Sequence, residues 1–471
     1  MDNSESLKGL TNDANWSDLT SWDKAYYQHG FQADGEATIH AIASMDGNWF
    51  TLSDGTKMLD FQSQLISDSF GHRHPAIHGK IKEAMENYGH AFYGFANKYR
   101  ASAAKLIIEG LFPTEDWAGR VRIFSSGTDA VESAITMARL YTGRSVILTQ
   151  AHSFHGMVMG STMLRGYRNN ITPAGSPDSV QDIPGFPPQG YIPVPAPEQE
   201  NYNLGDSLQL PSLAATEAII RAIGPENIAA MIAEPMLGAG GIFPHKSYTE
   251  NMAKMLKKYG ILWISDEVIT GVGRLGEWFG YQLTPNIAPD IIAAGKGLSG
   301  CAMPVGAVIG SKVISDYFEK ARWWSGSTWD GHPLVCAAIV GALEWAFEND
   351  ILQSVRQKGA YLNACLQDMA KKHNIIGQIS GRGLYQTIDL VNEKGEAIIG
   401  EDRYHSFKGQ IDDNPNAMIY SECAKHGVYL GGFTPNTIKL GPPFTITSDE
   451  IDIAMKALDA ALLKVSDRWL K

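Results

Sequence analysis

DIIAAGKGLSG, residues 290–300, sets a lysine against the end of an apolar strand. Ile291, Ile292, Ala293 and Ala294 read as a short buried strand, and Lys296 follows between Gly295 and Gly297. Charged side chains are almost never fully buried unless paired, so an ammonium group here needs a partner. Five more runs share the strand pattern: VRIF (121–124), VILT (146–149), IAAMIA (228–233), ILWIS (261–265) and GAVIG (306–310). Continuous apolar runs of this length suit strands covered on both faces, and the intervals between them are long enough for helical crossovers. DAVESAITMARLY (129–141) puts Val131, Ile135, Ala138 and then Tyr141 or Thr142 on one helical face. SYTENMAKMLKKYG (247–260) closes with Lys257, Lys258 and Gly260, which suit the negative end of a helix and its left-handed cap. The pattern predicts an α/β fold with a mostly parallel central sheet wrapped by helices.

Residues 166–212 interrupt this rhythm. Nine of the 22 prolines fall between Pro173 and Pro211, so the stretch reads as a long lid or interface loop with one short strand at GYIPV. After 331 the texture turns to helix at PLVCAAIVGALEWAFEND (333–350) and to strand at LYQTIDLV (384–391). Near the other end, DGNWFTLSDGTKMLDF (46–61) carries Asp-Gly turns between strand-like runs, a hairpin signal. A chain of 471 residues exceeds what one core usually serves. The expected division is a large domain at 76–330 and a smaller α+β domain built from 1–75 and 331–471.

A hydrophobic fraction of 44% and a charged fraction of 19% describe an ordinary globular chain. The net charge of −12 gives no electrostatic reason to bind nucleic acid or anionic lipid. Cys301, Cys336, Cys365 and Cys423 show no Cys-x-x-Cys spacing, which argues against a metal cage or a disulfide framework and fits a reducing cytoplasm. The start, MDNSESLKGL, lacks signal-peptide features, and no apolar run reaches the roughly 18 to 20 residues that span a bilayer. A cytoplasmic protein without membrane partners is expected.

In an open parallel sheet, ligands sit beyond the carboxyl ends of the strands. Four polar groups fall there: Lys296, Asp266 with Glu267 after ILWIS, Glu234 after IAAMIA, and SSGT (125–128) after VRIF. Backbone amides at a helix start, with Ser126, Gly127 and Thr128 around them, make a phosphate cradle. Each has a plainer reading alone: Ser126 or Thr128 as a helix cap, Asp266 as a surface carboxylate, Lys296 as a solvated loop lysine. Together they describe pyridoxal phosphate bound as a Schiff base, which needs a lysine for its aldehyde, an acid for its ring nitrogen and donors for its phosphate. No Gly-x-Gly-x-x-Gly follows the early strands, so a dinucleotide site has no support.

Six segments, FSSGTDAVESAITMAR (124–139), HSFHG (152–156), AEPMLGAGG (233–241), ISDEVITGVGRLGEWFGYQ (264–282), PDIIAAGKGLSGCAMPVGAVIGS (289–311) and STWDGHPLVCAA (327–338), occur in that order. In this combination, with Lys296 30 residues after Asp266, the chain resembles the class III aminotransferases, pyridoxal-phosphate enzymes of fold type I, over about residues 35–450. The resemblance implies that Lys296 holds the cofactor aldehyde and Asp266 its ring nitrogen, with Val268 and Phe154 on the two ring faces. It implies Ser126, Gly127 and Thr128 at the phosphate, His155 and Glu234 among the cofactor contacts, and Thr328 reaching the phosphate from a neighbouring subunit. A homodimer with shared active sites follows, whether or not dimers pair into tetramers.

The substrate side carries departures. DFQSQLISDSFGHRHP (60–75) is similar to the segment that relatives acting on ornithine or 4-aminobutyrate place at the substrate mouth, and Ile66 falls where amine-pyruvate members often carry tryptophan. In TIKLGPPFTIT (437–447), Lys439 stands where many relatives hold an arginine for the substrate carboxylate, and Ala239 where the ornithine and 4-aminobutyrate enzymes tend to have a glutamate that engages that arginine. Lysine is a point charge where arginine is a bidentate fork, and a tetrahedral sulfonate tolerates a point charge. Arg165 in STMLRGYRN is a second candidate anion reader, against the plain reading of a surface arginine. The implied activity is two-stage amino transfer from an ω-amino acid or amine, taurine or a similar compound foremost, to 2-oxoglutarate or pyruvate. Donors such as 4-aminobutyrate, β-alanine, ornithine or lysine, and aminomutase or decarboxylase chemistry on the same constellation, are the alternatives.

Overall fold

The structure is a computed structural model that describes residues 14–29, 39–164, 190–205, 207, 209–323, 325–399, 414–432, 434 and 436–470. Its strands, in chain order, are β1 (Ile42–Asp46), β2 (Trp49–Leu52), β3 (Lys57–Asp60), β4 (Ala118–Phe124), β5 (Val146–Gln150), β6 (Tyr191–Val194), β7 (Ile228–Ala233), β8 (Leu262–Glu267), β9 (Ile291–Gly295), β10 (Gly306–Ser311), β11 (Ile376–Arg382), β12 (Tyr385–Leu390), β13 (Val428–Tyr429) and β14 (Thr437–Leu440). All six apolar runs singled out in the sequence lie in one seven-stranded sheet of order β4-β10-β9-β8-β7-β5-β6. The pairs from β6 through β9 are parallel. β10 alone in that sheet runs against both its neighbours, β4 and β9.

The unbroken apolarity of these strands has the expected cause. In β9, Ile291 and Ala293 pack with Ala130, Val131, Ala134 and Ile135 of the helix Gly127–Thr142. Ile292 and Ala294 face the opposite layer, with Met252 and Leu256 of the helix Tyr248–Tyr259 among its members. Successive side chains thus alternate between two covered faces. The helix Tyr248–Tyr259 ends on Gly260 at φ +62°, the left-handed cap its sequence predicts. β6, which contains Pro193, lies at the sheet edge, where a missing ladder donor is tolerated.

Gly306 shows how tightly the sheet grips the neighbouring loop: a Cβ there would lie 1.8 Å from the Ser126 carbonyl oxygen. Only glycine lets β10 pass that close, and the passage fixes the loop after β4.

Two antiparallel pairings join β1, β2 and β3, and β13 adds in parallel beside β3, so segments from both ends of the chain share a sheet. A third sheet, β11-β12-β14, is antiparallel and pairs Thr387 with Lys439. The helix Pro333–Glu348 lies against Pro75–Asn87, where a Cβ on Gly341 would come within 2.8 Å of the Ile77 Cα. Among the described residues, no helix is long and apolar enough to cross a membrane.

Candidate active site

β7, β8 and β9 are parallel, so their carboxyl ends open on one edge of the sheet, and Glu234, Asp266 and Lys296 all lie at that edge. Asp266 is buried; its Oδ2 sits 2.6 Å from His155 Nδ1, and its Oδ1 accepts from the Val268 amide at 3.0 Å. The other ring nitrogen of His155, Nε2, is buried without a hydrogen-bond partner. Glu234 fastens the segment that carries His155: its Oε1 accepts from the Phe154 amide at 2.8 Å and its Oε2 from the Gly238 amide at 2.8 Å. Burial raises the Glu234 pKa; His155 opposes the shift and the nearby Asp266 charge adds to it. Glu234 is therefore a scaffold between two loops, while Asp266 is held from behind by an imidazole and an amide.

The loop after β4 forms the next wall. Ser126 is the N-cap of the helix Gly127–Thr142, its hydroxyl accepting from the Asp129 amide at 3.0 Å. The plain capping reading of Ser126 is thus realised in its side chain. Gly127 packs flat on Val268, since a Cβ there would meet both valine methyls at 3.0 Å. Gly295 closes the same contact, its added Cβ falling 3.3 Å from the Gly127 Cα. Thr128 lies under Gly156, where an added Cβ would come 2.7 Å from its Oγ1. Residues 127, 128, 156, 268 and 295 therefore converge, as the spacing of their motifs requires.

Lys296 opens a short turn, Lys296–Ser299, and itself adopts φ +42°. A lysine in the left-handed region is strained, and such strain persists where the surroundings over-determine it. Burial lowers its pKa, and the neighbouring Cys301, Asp266 and Glu234 pull the other way without cancelling the shift. Arg274 pushes the same way as burial. This fully buried guanidinium donates to the carbonyls of Leu384 (3.0 Å) and Pro442 (2.6 Å) and to Ser69 Oγ (3.0 Å), and lies over the Phe444 ring. Sequence reasoning missed it, although the signal was there: in GVGRLG it is a charge among glycine and apolar neighbours, as Lys296 is.

On the substrate side, Lys439 is buried and its Nζ donates to the Ala239 carbonyl at 2.9 Å. The two departures noted in the sequence thus touch each other. Burial pushes the Lys439 ammonium down to about 8, the Lys296 charge pushes it further and Glu234 opposes. Ile66 lies in an apolar cluster with Met236, Phe243, Leu275 and Tyr385, and the Tyr385 hydroxyl donates to the Gly238 carbonyl at 2.8 Å. Thr328 sits on an exposed turn held by Asp330, which accepts from the Ser327 hydroxyl at 3.0 Å and pairs with Arg122 at 2.8 Å. Arg165 lies outside the described residues.

These features fit pyridoxal phosphate. The orphaned His155 nitrogen, the glycine-floored cradle against Val268 and a lysine with a depressed pKa match the chemistry that cofactor demands.

Residues 31–462 match a family model described as Aminotransferase class-III. A probable gamma-aminobutyrate transaminase 4 from Oryza sativa subsp. japonica is 30% identical over 434 residues, covering 88% of this chain and 85% of the relative. An S-selective transaminase from Bacillus megaterium superposes with a TM-score of 0.91 at 36% identity, over 97% of this chain and all of the other. A taurine:2-oxoglutarate aminotransferase from Bifidobacterium kashiwanohense, solved with PLP and glutamate, gives a TM-score of 0.87 at 28% identity, over 97% and 99% of the two chains.

Proposed function

This chain belongs to the class III aminotransferases, and from that premise we propose that it moves an amino group from an ω-amino acid or amine to a 2-oxo acid. It is a transaminase, and its cofactor is pyridoxal phosphate. When bound, the cofactor supplies an electron sink for the pair released as a substrate Cα–H bond breaks. Lys296 would hold it covalently, Asp266 would hold its ring nitrogen, Gly127 and Thr128 its phosphate, and Val268 and Phe154 its two faces. His155 keeps the Asp266 carboxylate aimed. Burial and Arg274 favour the unprotonated form of a free Lys296 amine, which leaves it able to take a proton from carbon and return it.

The donor class rests on one observation: a buried cation, Lys439, whose partner is the Ala239 carbonyl. Such a group suits a donor with an anion at its far end, and a single point charge suits the tetrahedral sulfonate of taurine at least as well as a carboxylate. The solved taurine:2-oxoglutarate aminotransferase supports a sulfonate donor, and the probable gamma-aminobutyrate transaminase a carboxylate one. The test is a half-reaction screen of the yellow holoenzyme with taurine, β-alanine, 4-aminobutyrate, ornithine, lysine and simple amines. Donors should bleach the cofactor band, and 2-oxoglutarate or pyruvate should restore it. Carbon dioxide release, or isomerisation without a 2-oxo acid, would select a decarboxylase or an aminomutase instead. The exposed Thr328 turn completes the reading as a homodimer, and light scattering of the same preparation at the 51.4 kDa of one chain would remove that part.

A further inference from the structure

Just after β3 the backbone takes a course that ordinary residues resist. Ser63, Gln64, Leu65 and Ile66 have φ of 48, 47, 65 and 58°. This is a left-handed turn without a glycine, closed by the Ile66 amide donating to the Gln62 carbonyl at 2.7 Å and the Ser67 amide to the Ser63 carbonyl at 2.8 Å. In this conformation Cβ crowds the following carbonyl, so non-glycine residues visit it singly and not in runs.

A buried network holds the turn in place. Asp60 accepts from the Gln62 amide at 3.2 Å, from the Gln64 amide at 3.2 and 3.3 Å, and from Gln64 Nε2 at 3.1 Å. His72 secures Asp60 in turn, its Nε2 3.0 Å from Asp60 and its Nδ1 2.6 Å from Asp68. An imidazole facing a carboxylate at each nitrogen donates from both, so it carries a charge. Burial opposes that charge, but the bonds to Asp60 and Asp68 outweigh it and lift the His72 pKa to about 9.

Both ends of the turn reach the active site. Ser63 Oγ donates to the Gly441 carbonyl at 2.7 Å, and a Cβ on Gly441, two residues past Lys439, would strike Ile66 at 2.9 Å. Downstream, Ser69 accepts from Arg274 and sits 3.0 Å from where a Cβ on Gly297 would lie, beside Lys296.

We infer that Asp60, His72 and Asp68 are positioning residues, which hold the strained turn so that Ile66 and Ser69 form a fixed wall for the donor's side chain next to Lys296. This rests on reading that edge of the sheet as the transamination site. Wild-type bleaching by a donor is therefore established first; its failure would reject that reading and this role of the network with it, whereas the variants that follow bear on the inference alone. With a donor in hand, Asp60→Asn should raise its KM by roughly 10- to 100-fold, the scale of a misplaced positioning contact. The fall in kcat should be smaller, and the cofactor band and cofactor affinity should hold. Adding Leu65→Gly should recover part of the lost KM, because glycine takes the left-handed conformation without the Cβ penalty and Leu65 is exposed. If Asp60→Asn does not fold, Asp68→Asn with and without Leu65→Gly carries the same comparison. An unchanged KM, or a loss that Leu65→Gly does not recover, would overturn the inference.

Discussion

At Lys439 one proton serves two opposed ends. Its folded pKa of about 8 lies below the ordinary 10.5, so between those values the unfolded chain binds more protons than the native one. Stability should therefore rise with pH across that window, as the cost of the buried charge disappears. Affinity for an anionic donor should move the other way, since only the ammonium attracts it. The donor's KM is expected to climb above pH 8 in the wild type and to stay high and flat in Lys439→Met, with simple amines indifferent to both changes. A pH-independent KM in the wild type would remove Lys439 from the recognition of the anion. Lys296 and Asp266 were legible in the sequence because a charge at the end of an apolar strand is conspicuous. His72 and Asp60 were not read, because they meet at a turn whose conformation its residues do not advertise; Arg274 was conspicuous in GVGRLG, but its partners lie far along the chain.

At the scale of elements, the helix Gly127–Thr142 does two jobs at its first turn. Ser126 caps it, and Gly127 gives up helix propensity to lie flat on Val268. Alanine is the better helix former by about 1 kcal/mol in a helix interior, but Gly127 is the first helical residue and overpacking against Val268 offsets that gain, so Gly127→Ala should leave the urea midpoint of the cofactor-free protein unchanged or lowered. The same substitution presses on both Val268 methyls at 3.0 Å and should weaken cofactor binding, measured by absorbance titration. Undiminished affinity would mean that the flat contact has no part in the cradle. The strands themselves were readable from unbroken apolar runs, because burial on both faces leaves no polar alternation to obscure them. The reversed direction of β10 was not readable, since an apolar run carries no mark of its polarity.

Over the whole molecule, the parallel strand ends, the left-handed turn after β3, and β14 bring residues from 60 to 441 to one edge of the large sheet. The sequence pointed to a mostly parallel sheet and to polar groups at the carboxyl ends of its strands. It could not show that β13 pairs with β3, or that Lys439 reaches Ala239, because such contacts follow from packing across hundreds of residues. The proposed function turns on the lysine at the end of β9, so the central claim is best tested there. Holoenzyme reduced with borohydride, digested and mapped by mass spectrometry should carry the phosphopyridoxyl group on Lys296 and on no other lysine. Its appearance on Lys439 or elsewhere, with Lys296 unmodified, would contradict the account.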